Sequence, residues 1–184
     1  MKTIRKFHSA NLLFFSLEEN HLPLIHELHS RPLVAQFNTI GIPESQAATA
    51  KVLSQRFDPK NPSNMGWAIF DRKNAFLGEA GLVLAPKRFK KAEISYSLLP
   101  EHWNKGLGTE VVQTLLQNCF QHLDLHRVEA GVAVKNAASI RVLEKAGMRR
   151  EGTHIKILPL STGWSDNYSY ALLKEEWERL NGHR

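Results

Sequence analysis

The chain has 184 residues, of which 42% are hydrophobic and 23% charged, with a formal charge of +6 and a sequence pI near 9.5. This composition excludes intrinsic disorder and suffices for a full core in a single domain, read as 1–184 with its core at about 9–177. A lone cysteine, Cys119, excludes an intrachain disulfide framework and a four-thiolate zinc site.

The first twenty residues, MKTIRKFHSANLLFFSLEEN, place a short apolar run behind basic residues, as a secretory leader does. The run is too short, Asn11 opens it, and Glu18 and Glu19 stand where a small-residue cleavage site would be. It is read as a first strand, and the expected compartment is the cytoplasm. In 18–57, Leu22, Ile25, Leu28 and Leu33 recur at helical spacing, with a break at Arg31 and Pro32. A second helical stretch covers 44–57 behind Pro43, and 58–64 (DPKNPSN) is a loop. Strands are expected at 65–71, at 76–84 (interrupted by Gly78 and Gly81) and at 92–99, forming an antiparallel meander.

Between the last two lies the one dense basic run, Lys87, Arg88, Lys90 and Lys91. It reads as a solvated hairpin loop. No helix-turn-helix, zinc-finger or aromatic RNA-binding signature accompanies it, so direct nucleic-acid binding is not expected. A strong helix follows at 106–123, with Val112, Leu115, Leu116, Cys119, Phe120 and Leu123 on one face. Then come a strand at 128–134 and a helix at 137–146, with Asn136 as its cap and Gly147 just past its end. Strands at 148–158 and 164–173 and a helix at 174–180 complete the chain. No apolar run approaches the roughly 20 residues of a membrane span. The order implies an α/β (α+β mixed) fold, a mixed sheet with helices on its faces.

The segment PEHWNKGLGTE, 100–110, joins a strand to the strong helix. Gly106 and Gly108 let a ligand approach the backbone, and the unpaired N–H groups and dipole of the helix start favour an anion. Lys105 adds charge beside them. Neither a Walker loop nor a Rossmann fingerprint is present.

Three stretches in order, AEISYSLLPEHWNKGLGTEVVQTLL, HRVEAGVAVKNAASIRVLEKAGMRREG and GWSDNYSYALL, closely resemble the GNAT superfamily of N-acetyltransferases. Within it they resemble the branch of RimJ/RimL-type ribosomal-protein N-terminal acetyltransferases. The resemblance runs from about Leu12 to Trp177. It implies a splayed, mostly antiparallel sheet flanked by helices, acetyl-CoA as cosubstrate and no metal. Lys105, Gly106, Leu107, Gly108 and Thr109 would hold the pyrophosphate, and backbone groups of Leu98 and Leu99 would pair with the pantetheine arm. Trp103 stands where the family pattern has Gln or Arg. Asn136 would contact the pantetheine arm as well as cap its helix, and Ser139 would act beside the leaving thiolate. The strand ending near Leu99 would part from that at 128–134 to admit the thioester.

An amine attacking a thioester needs a donor for the departing thiolate and an acceptor for the ammonium proton. Ser139 suits the first role; its plain alternative is helix packing. Glu93 in AEISY and Asp166 in GWSDNYSY suit the second, with Glu79 behind them. Each could instead be a surface charge. Arg141 could reach a cofactor phosphate or be solvated, and Tyr168 and Tyr170 could line an acceptor site or pack in the core. The cluster His21, His26 and His29 lacks zinc-protease spacing, and His122 and His126 have no evident third ligand, so both sets read as surface or core histidines. Cys119 reads as a small core residue.

The resemblance implies acetyl transfer by direct attack on a primary amine, foremost a protein N-terminus shaped by residues 30–43, in a monomer or homodimer. A small-molecule amine (polyamine, amino acid or aminoglycoside) and a catalytically silent acyl-CoA-binding module are the rivals.

Overall fold

A computed structural model describes residues 5–58 and 61–182. The ends of the 1–184 reading and two residues of the 58–64 loop lie outside the described residues. Eight strands form one sheet in the order β1-β2-β3-β4-β5-β6-β8-β7. They are β1 (Lys6–His8), β2 (Leu12–Ser16), β3 (Asn64–Asp71), β4 (Phe76–Leu84), β5 (Lys91–Leu98), β6 (Arg127–Ala133), β7 (Arg149–Leu160) and β8 (Gly163–Leu173). Every pairing is antiparallel except β5 with β6. The expected mixed, mostly antiparallel sheet is therefore present.

The expected first strand is a hairpin. Ser9 turns the chain between β1 and β2, with its hydroxyl accepting the Leu12 N–H. Glu110 then accepts from the Ser9 hydroxyl at 2.6 Å and from the Asn11 N–H at 2.9 Å, fixing the hairpin to a distant helix. The helical stretch after it divides into a short 3-10 turn and four helices. These are α1 (Leu22–Ser30), α2 (Pro32–Ala35), α3 (Gln46–Val52) and α4 (Ser54–Phe57). Pro32 starts α2 because Arg31 before it is extended (φ −74°, ψ 119°). The Ser45 hydroxyl caps α3 by accepting the Ala48 N–H, so that helix begins two residues later than its apolar pattern suggests.

These four helices cover one face of the sheet; α5 (Leu107–Gln117), α6 (Ala137–Lys145) and α7 (Lys174–Asn181) cover the other. The larger core lies under α5 and α6, where Phe14, Trp67, Ile69, Leu82, Leu115, Phe120 and Leu143 are all at most 2% exposed. Each such side chain contributes about 1.5–3 kcal/mol by leaving water. Cys119 belongs to this core, and burial pushes its thiol pKa up, so it is a packing residue. After Gln117 the helix widens into a single π turn, Asn118–His122, where sequence periodicity implied uninterrupted α-helix.

Helix α6 ends as its sequence implies. Gly147 takes φ +91°, its N–H bonds to the Glu144 carbonyl, and Met148 N–H reaches back to Leu143. The basic loop is a 3-10 turn in which Lys90 pairs with Asp124 and Lys91 with Glu129. No helix among the described residues is long and apolar enough to cross a membrane.

Candidate functional site

Strands β5 and β6 pair over only three positions, Lys91↔Arg127, Ala92↔Val128 and Glu93↔Glu129. Beyond Glu93, β5 is bonded to β4 alone, and beyond Glu129, β6 to β8 alone. The sheet splays there, leaving two backbone edges that face each other without ladder partners. A cavity of about 370 Å3 runs through this slot. Its walls include Glu93 to Ser97 of β5, Ala130 to Ala133 of β6, and Asn136, Ser139 and Leu143 of α6. On the other side lie His29, Arg56, Glu79 and the 37–40 loop.

Two chemically distinct sides follow from strand alternation. Tyr96 of β5 faces α6, and its hydroxyl lies 3.0 Å from that of Ser139. Burial pushes the Tyr96 pKa up to about 12, against the opposing effect of the Ser139 hydrogen bond. Tyr96 therefore keeps its proton at neutral pH. Sequence reasoning did not single it out; the available signal was an aromatic hydroxyl between Ser95 and Ser97, near the C-terminal end of a strand. Asn136 caps α6 by accepting the Ser139 N–H at 3.1 Å. Its side-chain NH2 group still lines the slot with no partner among the described residues.

The loop expected to hold a pyrophosphate abuts this side. Gly106 adopts φ +79°, which favours glycine, and a Cβ there would meet nothing within 4 Å. No side chain caps α5, and the N–H groups of Leu107, Gly108 and Thr109 have no acceptor among the described residues. Gly108 has a different reason: a Cβ would sit 3.2 Å from Val142, so glycine lets α5 pack close to α6. Lys105 is exposed beside the loop, as is Arg141 on α6. An anionic phosphate group fits such a helix start, and an extended arm fits the unpaired strand edge.

The expectation for Leu99 is corrected. Its N–H is bonded to the Leu77 carbonyl at 2.9 Å and its carbonyl accepts from His102, because β5 has already ended and a 3-10 turn begins. The Leu98 carbonyl already accepts from the Trp103 indole at 2.7 Å, leaving only its second lone pair. Trp103, the departure from the family pattern, thus ties down the end of β5.

The two carboxylates expected to take a proton part company. Glu93 lines the slot where the strands separate and is exposed, its carboxylate without a hydrogen bond among the described residues. Asp166 is a correction. It is not among the residues lining the slot, and its carboxylate accepts the Lys156 N–H at 2.8 Å, closing an irregular turn of β7 in which Lys156 has φ +46°. Its neighbour Asn167 lines the slot instead and lies over Gly131. Side chains alternate faces along a strand, so one position decides the matter. Tyr168 stacks under Arg150, and Tyr170 is buried with its hydroxyl on Glu144; both pack rather than line the slot.

The other side holds a buried ionic cluster that sequence reasoning largely missed. Glu79 is 3% exposed and His29 1%. Glu79 Oε1 accepts from His29 Nε2 at 2.9 Å and from Arg56 Nη1 at 3.2 Å. Arg56 also donates to the Ser95 hydroxyl at 3.0 Å. Burial favours the neutral Glu79 carboxyl, but the His29 hydrogen bond and the Arg56 charge outweigh it and hold its pKa below the ordinary value. Of the other histidines, His21 accepts the Glu18 N–H and His26 bonds Thr49. Among the described residues no group of three His, Cys, Asp or Glu could hold a metal ion.

Residues 11–149 match the family model described as an acetyltransferase (GNAT) domain. The uncharacterized N-acetyltransferase YnaD of Bacillus subtilis is 42% identical over 85 residues, 46% of this chain and 50% of that protein, so the chain spans about half the length of that curated relative. A GNAT-family acetyltransferase crystal structure from Bacillus anthracis superposes with a TM-score of 0.80 at 27% identity, covering 92% of this chain and 99% of that one. The spermidine N-acetyltransferase of Vibrio cholerae, solved with CoA and spermine, superposes with a TM-score of 0.82 over 92% of this chain and 99% of that one. At 21% identity the latter likeness shows the fold alone.

Proposed function

The chain belongs to the GNAT acetyltransferase family, and from that premise we propose that it transfers acetyl from acetyl-CoA to a primary amine. The observation that carries the proposal is the slot between β5 and β6, with an uncapped helix start on one side and the Tyr96–Ser139 hydroxyl pair inside it. When bound, acetyl-CoA supplies an electrophilic thioester carbonyl. Lys105 and the N–H groups of Gly106, Leu107, Gly108 and Thr109 bind its pyrophosphate. The Leu98 backbone and the free NH2 group of Asn136 hold the arm.

The amine enters from the face covered by α1 to α4. Glu93, through water in the slot, takes the proton that its nitrogen must lose. The carbon–nitrogen bond forms and the carbon–sulfur bond breaks. The Ser139 hydroxyl then gives its proton to the thiolate and takes one back from water through Tyr96. The expected home is the cytoplasm.

The finer reading is an acceptor α-amine at a protein N-terminus, as in the RimJ/RimL-type branch that the motifs resemble. A small amine is the second reading, favoured by a cavity of about 370 Å3. Incubation of the protein with labelled acetyl-CoA and a fractionated extract tests both. Label in one protein band supports the N-terminal reading. Label confined to small molecules rejects it in favour of the second. CoA binding without transfer to any fraction rejects the transferase itself.

A further inference from the structure

The cluster of His29, Glu79 and Arg56 leaves polar atoms unmatched. A buried charge is costly unless every lone pair and proton is matched. Here Glu79 Oε2 and His29 Nδ1 are buried without a hydrogen-bond partner among the described residues, and both residues line the cavity. Arg56 has further N–H groups beyond the two it uses, and its side chain is 19% exposed. The sheet is shaped to admit it. A Cβ at Gly81 would lie 2.9 Å from Arg56 Cζ and 2.7 Å from the Ser95 hydroxyl. Its register partner Gly66 makes room mainly for Leu17, whose Cδ1 would lie 2.6 Å from a Cβ there, with Arg56 Cβ at 3.1 Å.

We propose that this cluster is the acceptor-recognition site: Glu79 Oε2 receives the acceptor's ammonium, and Arg56 donates to a carbonyl oxygen one carbon away. The assignment rests on the transferase reading and deepens it. Glu79 is bonded by His29 and Arg56 on one oxygen, and its other oxygen is buried without a donor in a residue that lines the cavity. An ammonium supplies the missing donor and the opposite charge. Its neighbour Arg56 repels a second ammonium and attracts an oxygen acceptor.

The chemistry recognised is therefore an α-amine beside a carbonyl, shared by a free amino acid and a peptide N-terminus. A polyamine lacks the oxygen and brings surplus positive charge. Along β5, Glu93 is four positions from Ser97, the register partner of Glu79, or roughly 13 Å. A proton leaving an amine held at Glu79 therefore reaches Glu93 only along several waters in the slot.

The test uses the full chain with acetyl-CoA. The acceptors are the amino acids, tripeptides begun by each, the corresponding decarboxylated amines, and spermidine. The expected result is transfer to α-amines beside a carbonyl, at least tenfold above their decarboxylated counterparts in kcat/KM. Free acids and tripeptides then tell which source carries the carbonyl.

Arg56→Gln should erase that preference while leaving acetyl-CoA affinity unchanged by calorimetry. Glu79→Gln should raise the acceptor KM tenfold or more with kcat within about threefold. Should Glu79→Gln fail to fold, the half-buried Arg56→Gln decides alone. Spermidine or a decarboxylated amine used as well as its α-carbonyl counterpart, or a preference untouched by Arg56→Gln, overturns the assignment and leaves the transferase intact. No transfer to any amine despite CoA binding overturns both.

Discussion

Ser139 and Tyr96 illustrate how little separates packing from chemistry at a single residue. Ser139 sits one turn into α6 and could have been filler, but its hydroxyl meets that of Tyr96 at 3.0 Å inside the slot. On the proposed reaction, Ser139→Ala should lower kcat about 10²–10⁴-fold, with acetyl-CoA affinity nearly intact by calorimetry. An unchanged kcat would return Ser139 to a packing role. Tyr96→Phe should cost less, since Ser139 keeps a proton to give. Because Tyr96 titrates only at about 12, no alkaline loss of activity below about pH 10 should be assignable to it. Gly81 allows a second prediction. A Cβ there would meet the Arg56 and Ser95 side chains first, and displacing the guanidinium would leave buried Glu79 one donor short, so Gly81→Ala should cost about 1–3 kcal/mol. It should also raise the acceptor KM. At Gly78 the same Cβ would lie 2.1 Å from the Ser97 carbonyl, which belongs to the backbone. Gly78→Ala should therefore destabilise the fold by several kcal/mol in urea titration. The Gly106 turn and the Asn136 cap on Ser139 were legible because their geometry is local in sequence. His29, Arg56 and Glu79 were not, because they lie on three separate elements and meet only through β4 register.

Elements whose ends carry their own signals were the most readable. Asn136 and Gly147 bracket α6, and both signals are local hydrogen-bond geometries. Asn136→Ala should cost about 1 kcal/mol of stability. Where an end is set by tertiary contact, the sequence was less informative. The β1–β2 hairpin was hidden because its turn depends on Glu110, about a hundred positions away. Asp166 was misread because the irregular pairing of β7 with β8 is invisible to an alternating pattern. Glu110 also makes the hairpin sensitive to acid. Burial raises its pKa, but hydrogen bonds from Ser9 and Asn11 and the Arg72 charge bring it below the ordinary value. Its folded pKa lies below the unfolded one, so the clamp contributes fully above the unfolded value. That contribution fades as pH falls through the folded value. Hydrogen exchange in β1 and β2 should therefore accelerate in acid before exchange in β3 and β4, after correction for intrinsic rates. Glu110→Gln should give the faster exchange already at neutral pH. Equal exchange in both pairs of strands would refute this account of the clamp.

A sheet that opens in its middle must be held shut at one end, and the whole molecule does this with charge as well as backbone. Beneath the three pairs that join β5 to β6 runs a chain of ions across the sheet. Lys91 and Arg127 both bond Glu129, Arg127 also bonds Glu151, and Arg149 bonds Glu151 and Glu176. The chain thereby links β5, β6, β7 and α7 at the closed end of the slot. The hydrogen bond that Arg127 donates to Glu151 leads in raising its pKa, against partial desolvation, so Arg127 is the node. Its side chain is 25% exposed and that of Glu129 30%, so solvent screens the network in part. An isolated exposed pair is worth about 0.2–1 kcal/mol. Arg127 holds two carboxylates, so Arg127→Gln should cost about 1–2 kcal/mol at low salt, or roughly 2–8 °C in Tm for a chain of this size. The loss should shrink in 0.5 M NaCl, at a screening length of about 4 Å. Failure there should begin where β5 and β6 join, so acetyl-CoA affinity should fall although Arg127 lies outside the proposed binding loop. Thermal unfolding and CoA calorimetry at two salt concentrations read both effects. A Tm loss that does not depend on salt would assign Arg127 to packing through its aliphatic stem. Unchanged CoA affinity alongside a lowered Tm would mean that the three backbone pairs alone set the width of the slot.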